Sequence, residues 1–314
     1  MRLRLGVSSC LLGAKVRHDG GHRLDRWIHD TLGAFVDFVP VCPETECGLP
    51  VPREAMRLVG DPAAPRLAGS RSGHDFTAQM KDFCARRVAE LAGEDLCGFI
   101  FKAKSPSSGL HRIKVYDERG IPRETGVGLF ARAFQEAFPL LPCEDDGRLH
   151  DPGLRENFLE RVFTMLRWRE MLAEGPGLGE LVDFHTRHKM LILAHSQPIY
   201  REMGRLVAAG RETPLPDLLH AYQDRLMAAL AAKTTPRRQL NVLQHAAGHL
   251  KTMLTADEKA ELGEVFGHYA DEHVPLIVPV TLLNHYVRKY GVEYLARQVY
   301  LNPHPIELKL RNHA

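Results

Sequence analysis

No apolar run in the 314 residues approaches the roughly 18 needed for a membrane-spanning helix, which argues against a membrane protein. The first residues, Met1-Arg-Leu-Arg-Leu-Gly-Val-Ser-Ser-Cys, hold too few apolar positions for a secretory leader. They read as a strand that begins at once, and the cytoplasm is the expected compartment. There is no internal repeat and no low-complexity tract. No compact CxxC and no H-E-x-x-H occurs, so the common short zinc signatures are missing. Strong positive charge is missing as well: a formal net charge of +2 exerts only a weak general pull on nucleic acid. Cysteine is sparse for a disulfide scaffold, since six in a chain of this length without a small-domain framework point to reduced thiols available for metal or catalysis.

What is present is ordinary for a soluble globular protein, with 44% hydrophobic and 25% charged residues. The length suggests two domains. Over residues 1–145 strand and helix signals alternate. Leu3 to Val7 reads as a strand, Asp25 to Phe35 as an amphipathic helix, and Phe35 to Val41 as a second strand. Asp75 to Leu91 reads as a helix, with strands at Gly98 to Lys102 and Ile113 to Tyr116. Such alternation predicts a Rossmann-like α/β domain, its mostly parallel sheet covered by helices on both faces. A stretch rich in Pro, Gly and acidic residues from about Pro139 to Leu154 marks a connector. Residues 146–314 predict an all-α domain, with helices over Arg155–Leu172, Leu178–Ala194, Ile199–Ala209, Pro216–Ala232, Arg237–Leu254, Thr255–Tyr269 and Pro279–Lys289. Thr255 is the expected N-cap of one of them, with Glu258 at the capping-box position.

Three segments carry the chemistry: Ser8-Ser-Cys-Leu-Leu-Gly13, Pro40-Val-Cys-Pro-Glu44 and Lys104-Ser-Pro-Ser-Ser-Gly109. Each follows a predicted strand, and loops at the carboxyl ends of parallel strands converge on one crevice. Cys10 and Cys42 are therefore candidate ligands of a metal or cluster, a proline or glycine beside each shaping the loop. The alternative is a pair of small buried hydrophobes at strand ends. Cys47 is a spare ligand, whereas Cys84, Cys97 and Cys143 read as structural. Glu44 could act as a general base with a pKa raised by desolvation, or could cap a helix or pair with Arg53. Ser105 and Ser107 could hydrogen-bond substrate or merely shape a Ser-Pro turn. Arg17, Asp19 and Arg53 could fix a base edge or a phosphate, or order the loops through ion pairs.

These segments, with Arg17-His-Asp-Gly-Gly21 and Gly48-Leu-Pro-Val-Pro-Arg53, closely resemble the thiouracil desulfidase (TudS) family. Arg148-Leu-His-Asp-Pro152, Leu154-Arg-Glu-Asn-Phe158, Phe184-His-Thr-Arg-His-Lys189 and Leu193-Ala-His-Ser196 resemble the helical domain of its two-domain relatives called RudS. The resemblance implies removal of sulfur from 4-thiouridine in tRNA, with substrate sulfur on the open iron of a 4Fe-4S cluster held by three cysteines. It implies Cys10 and Cys42 as two ligands and position 108 as the third, where this chain has Ser108. It also implies catalytic roles for Glu44 and Ser105, and substrate contacts from Arg17, Asp19, Arg53 and Ser107. A serine hydroxyl is a far poorer iron ligand than a thiolate, so impaired activity is expected. A deliberate exchange in an intact site, natural loss of activity and replacement by Cys47 are the readings that remain open.

In the second half, Arg187, Lys189, Arg237, Arg238 and Lys251, together with Lys233, His245 and His249, are candidate phosphate contacts for tRNA at spacings that can share a surface. Eleven of the 17 histidines fall at or beyond His185, so this half gains positive charge below neutral pH. The alternative is a solvated charged surface. No obligate protein partner is inferred. Two other functions remain: a catalytically inactive tRNA-binding or regulatory protein, and a desulfidase of free thiouracil.

Overall fold

The protein is described from a computed structural model, which covers residues 2–117 and 119–312. The chain forms two compact units, Met1–Asp151 and Pro152–Ala314. The boundary lies beyond the expected 145/146 because the connector is tied back to the first unit. Asp146 accepts from Lys102 and from the Ala103 amide, and Arg148 pairs with Glu144.

In chain order the first unit contains β1 (Arg4–Ser8), β2 (Asp37–Val41), α1 (Pro43–Glu46), β3 (Met56–Val59), β4 (Arg66–Gly69), α2 (Thr77–Leu91), β5 (Phe99–Phe101), β6 (Ile113–Tyr116), β7 (Pro122–Gly126), α3 (Leu129–Ala137) and β8 (Cys143–Asp145). One sheet has the order β2-β1-β5-β8 and is parallel throughout. The Rossmann-like α/β expectation holds for this sheet. A second, mixed sheet, β4-β3-β6-β7, was not expected, and it takes in the Ile113–Tyr116 strand. The segment expected as a helix over 25–35 is a π-helical turn, Trp27–Thr31, running into a short 3-10 turn, Leu32–Ala34. Its apolar spacing still serves, because Ile28 and Leu32 are fully buried.

The parallel sheet is packed through aromatic rings. Phe99 stacks on Phe101 with centroids 4.2 Å apart, and Phe134 of α3 lies 4.8 Å from Phe99. Burying each such ring stabilises the fold by about 1.5–3 kcal/mol. Gly6 makes room for them, since a Cβ there would fall 2.0 Å from Phe99 Cδ2.

The second unit is helical: α4 (Pro152–Ala173), α5 (Leu178–His195), α6 (Gln197–Ala208), α7 (Leu215–Ala231), α8 (Pro236–Gly248), α9 (Ala256–Ala270), α10 (Ile277–Tyr290) and the short α11 (Glu293–Ala296). The seven expected helices are all found. Thr255 Oγ1 accepts from the Glu258 amide and Glu258 returns the bond to the Thr255 amide, the reciprocal cap that the spacing anticipates. Trp168 stacks on Tyr222 with centroids 5.3 Å apart and meets Phe184 edge-on, joining α4, α5 and α7. No described helix is long and apolar enough to cross a membrane.

Candidate active site

Strands β2, β1 and β5 are neighbours in the parallel sheet, and their carboxyl ends lead directly into the three motif loops. Those loops line one cavity of about 380 Å³. Cys10, Cys42, Arg17, Glu44, Arg53, Ser105, Ser107 and Ser108 all reach it, as do Lys102, Lys104 and His18.

Each loop is held by local chemistry. Beyond Cys10 the turn closes at Gly13, whose φ of +92° is a left-handed conformation that suits glycine. Cys42 precedes α1, with Pro43 at the first helical position. The third loop is clamped from both sides. The amides of Gly128 and Phe130, at the start of α3, donate to the carbonyls of Gly109 and Ser107. Asp145 of β8 accepts from the amides of Leu110 and His111. Lys104 lies within this loop at φ +62°, an uncommon conformation for a side-chain-bearing residue and one enriched at functional sites.

The polar groups of the cavity form a directed chain. Glu44 is ion-paired to Arg53, with Nε 3.0 Å from Oε2, while its other oxygen accepts from Ser107 Oγ at 2.8 Å. Ser107 Oγ is 3.0 Å from Ser105 Oγ, and Ser105 Oγ accepts from the Ser108 amide at 3.2 Å. Ser105 Oγ also lies 3.5 Å from the same Glu44 oxygen, so its hydroxyl can donate to Ser107 or to Glu44 directly. The result is a relay from position 105 to the carboxylate.

Several sequence expectations change. Arg53 lines the cavity and is also bonded within the protein: its guanidinium donates to the carbonyls of Pro50 and Val16, tying three loops together. Glu44 forms the ion pair with Arg53 that was one of the two readings of its position. Ser107 is 1% exposed and links Ser105 to Glu44. Asp19 does not line the cavity. It orders the Arg17–Gly21 turn, where the Gly21 amide and Arg17 hold its carboxyl down at about 2. Cys47 does not line the cavity either: its thiol donates to the Glu44 carbonyl and packs against the core. Cys84 and Cys97 are buried, as expected of structural thiols.

Lys102 and Asp146 were missed. Lys102 bonds both oxygens of Asp146 at 2.9 and 2.7 Å, and its amide donates to Ser8 Oγ. Burial pushes the Cys10 thiol up to about 11, and Lys102 opposes that rise. The signal for Lys102 was its place at the carboxyl end of a strand, just before the Ser-Pro-Ser-Ser motif.

The sequence profile of the 2-thiouracil desulfurase family matches residues 5–146, and that of DUF1722, a family of unknown function, matches residues 189–305. The uncharacterized protein YbgA of Escherichia coli (strain K12) is 30% identical over 158 residues, which are 50% of this chain and 94% of that protein. The chain belongs to the two-domain TudS-type family. A solved structure of the [4Fe-4S]-dependent thiouracil desulfidase TudS is 27% identical, with a TM-score of 0.40, covering 48% of this chain and 95% of its own. The cavity formed by the three loops lies within the residues matched to the 2-thiouracil desulfurase family.

The basic residues of the second unit separate into two groups. Arg187 pairs with Asp183, and Arg238 donates to the His195 carbonyl at the end of α5, so both have structural partners. Arg237 and Lys251 are exposed, and Lys189 Nζ lies 4.9 Å from the centre of the Tyr294 ring. The His249 ring is 4.7 Å from the same ring, and His245 is 6.1 Å from His249. Arg237 stands in the first turn of α8 and Lys251 three residues beyond its end.

Proposed function

We propose that the first unit is a desulfidase pocket for a thiolated pyrimidine, that its substrate is 4-thiouridine in tRNA, and that Ser108 impairs the reaction in this chain. The observation that carries this reading is the convergence of Cys10, Cys42 and Ser108, from three separate loops, on one cavity in the region matched to the 2-thiouracil desulfurase family.

A three-thiolate iron-sulfur cluster, the kind that the TudS resemblance implies, needs a third soft sulfur. The cavity offers two thiols and a hydroxyl that is protonated at neutral pH, so the donor set does not fit such a cluster. The remaining residues suit hydrolytic exchange of sulfur for oxygen: water adds to the ring carbon, the C–S bond breaks, and thiocarbonyl plus water becomes carbonyl plus hydrogen sulfide. No oxidant or reductant is consumed. Ser105 would accept hydrogen bonding from the water and pass a proton through Ser107 to Glu44, whose pairing with Arg53 keeps it aligned. Arg17 and Lys102 supply positive charge where the ring becomes anionic.

The preference for tRNA over a free base is supported by Lys189, Tyr294, His245 and His249, which combine a cation with aromatic faces of the kind that contact phosphate and unstacked bases. Ser108→Cys provides the test. After anaerobic treatment with iron and sulfide, the variant should gain visible charge-transfer absorbance and convert 4-thiouridine in tRNA to uridine faster than it converts free thiouracil. The unaltered chain should do neither. A colourless variant that leaves thiolated tRNA intact would refute the reading. Equal conversion by the unaltered chain would refute the role given to Ser108.

A further inference from the structure

Next to the desulfidase cavity the first unit has a second depression, of about 610 Å³. Arg53 and Met56 line both, so the two are neighbours across one shared wall. Glu54, Arg71, Ser72 and Phe76 line the depression alone, and none of them has a part in the reaction described above.

One side of the depression is a turn that is fixed before any ligand arrives. Residues 69–73 follow β4. The Ser70 amide donates to the Ala55 carbonyl at 2.8 Å, and the Gly69 amide donates to the His74 carbonyl at 2.9 Å. Glu54 fastens the turn from the facing segment, accepting from the amides of Arg71 and Ser72 at 3.0 and 3.1 Å and from the Ser72 hydroxyl. Bonds from Ser72 and from the Arg71 amide hold this carboxyl down at about 2, so it is ionised at neutral pH. A ligand that binds here does not have to order the turn, and that cost is removed from its affinity.

Three kinds of surface meet in this space. The first is aromatic and apolar. Phe76, at the N-cap of α2, lines the depression and is steadied by the His74 ring, edge-on with centroids 4.6 Å apart. Met56 and Pro50 continue this side, and all three apolar residues keep part of their surface open to solvent. The second is a cation. Arg71 is exposed at the depression, and its guanidinium has no ion-pair partner among the described residues. The third is an anionic acceptor, since a carboxylate has about four lone-pair sites and the bonds that Glu54 makes to the turn do not exhaust them.

An aromatic face takes a flat ring, a guanidinium without a counter-ion takes a phosphate, and a carboxylate takes an N–H or amino donor. A nucleotide offers all three. Because the depression shares a wall with the desulfidase cavity, that nucleotide can belong to the same chain as the reacting one, whereas a free pyrimidine base has nothing to place there. We propose that the depression binds the nucleotide adjoining the thiolated one in RNA, its base on Phe76 and Met56, a base amino group donating to Glu54, and its phosphate at Arg71. This inference rests on the reading of the desulfidase cavity as a site for 4-thiouridine in RNA. It adds that selection of an RNA chain over a single nucleoside begins inside the first unit, with an adjoining base that carries an amino group favoured over uracil.

The test compares 4-thiouridine with trinucleotides in which it is flanked by adenosines or by uridines, titrated by calorimetry into the unaltered full-length chain. The adenosine-flanked trinucleotide should bind about tenfold or more tighter than the nucleoside, as stacking of one base on an aromatic ring provides. It should also bind more tightly than the uridine-flanked one, and equal affinities would overturn the contact to Glu54. Phe76→Leu keeps an apolar side chain against the core, and Arg71→Gln is at an exposed position. Together they should remove the advantage of the trinucleotide. Binding of the trinucleotide no tighter than the nucleoside, or an advantage that survives both substitutions, overturns the proposal. Rates of the reconstituted Ser108→Cys form separate this inference from the reading beneath it. If the trinucleotide advantage in binding depends on Phe76 and Arg71 but the Ser108→Cys form desulfurates nothing, the nucleotide subsite stands and the desulfidase reading falls. If that form converts nucleoside and trinucleotides with equal kcat/KM, the desulfidase reading stands and the subsite falls.

Discussion

Each unit contains a carboxylate–guanidinium network, and the two networks meet solvent differently. In the second unit Arg311, 3% exposed, donates to Glu156 and Glu160, and Glu160 also meets His195 Nε2 at 3.1 Å. Two carboxyl groups face the Arg311 guanidinium, and only Glu160 has His195 as a second partner. Burial and the charge of Glu160 push Glu156 up to about 8. For Glu160, burial opposes ionisation, but His195 and Arg311 outweigh it and hold this carboxyl low. In the first unit Glu44 has one guanidinium, that of Arg53, and its second oxygen accepts from a hydroxyl that lines the cavity. The comparison separates two uses of buried charge. Arg311 closes a core and joins the C-terminal segment to α4, 155 residues away in sequence, whereas Arg53 leaves one carboxylate oxygen facing a reaction space.

The sharpest way to break this contrast is to remove each cation. Arg311→Met leaves two buried carboxyls without their partner and should destabilise the second unit by about 3–5 kcal/mol in urea unfolding. Arg53→Met, beside a cavity that water can enter, should cost clearly less. Equal losses would mean that both networks are structural. Ser107→Ala, made in the Ser108→Cys form, interrupts the relay and should lower desulfidation by about 10²-fold with little change in stability, since base catalysis of this kind contributes about 10²–10⁴-fold. An unchanged rate in single-turnover assays would remove the relay from the mechanism.

The retained proton has a pH signature. Folded Glu156 holds it to about pH 8, while an unfolded carboxyl loses it near 4.5. As pH rises through that window the unfolded state binds fewer protons than the folded state, so the contribution of this group to stability falls. Glu156→Gln should flatten that part of the stability profile, and an undiminished slope would place the proton elsewhere. The smallest effect is expected from Thr255→Ala, which opens the cap of α9 and should cost about 1 kcal/mol by thermal or urea unfolding.

What could be read from sequence and what could not follows the range of the interactions. The Thr255–Glu258 cap spans three residues and was legible. So was the convergence of the cysteine loops, because an apolar strand ending in a motif fixes where the motif emerges. The second sheet was not legible. Met56–Val59 is four residues long and interrupted by Arg57, and Arg66–Gly69 contains Ala and Gly in place of β-branched residues, so neither shows the strand pattern. Nor were the partners of charged residues. Lys102 finds Asp146 across 44 positions in a segment whose composition suggests a connector, and nothing local in Arg53 distinguishes a clamp on Glu44 from a substrate contact.

One feature of the third loop bears on how this pocket can change. The amides that start α3 and the carboxylate of Asp145 fix residues 105–111 through backbone groups, and a Cβ at Gly109 would fall 2.7 Å from the Ser105 carbonyl oxygen. None of these restraints involves the side-chain atom at position 108. Oxygen and sulfur can therefore be exchanged there without rebuilding the loop. Under the function proposed above, a chain of this kind can lose or regain a ligand through a single atom, while the cavity and its fold are inherited unchanged.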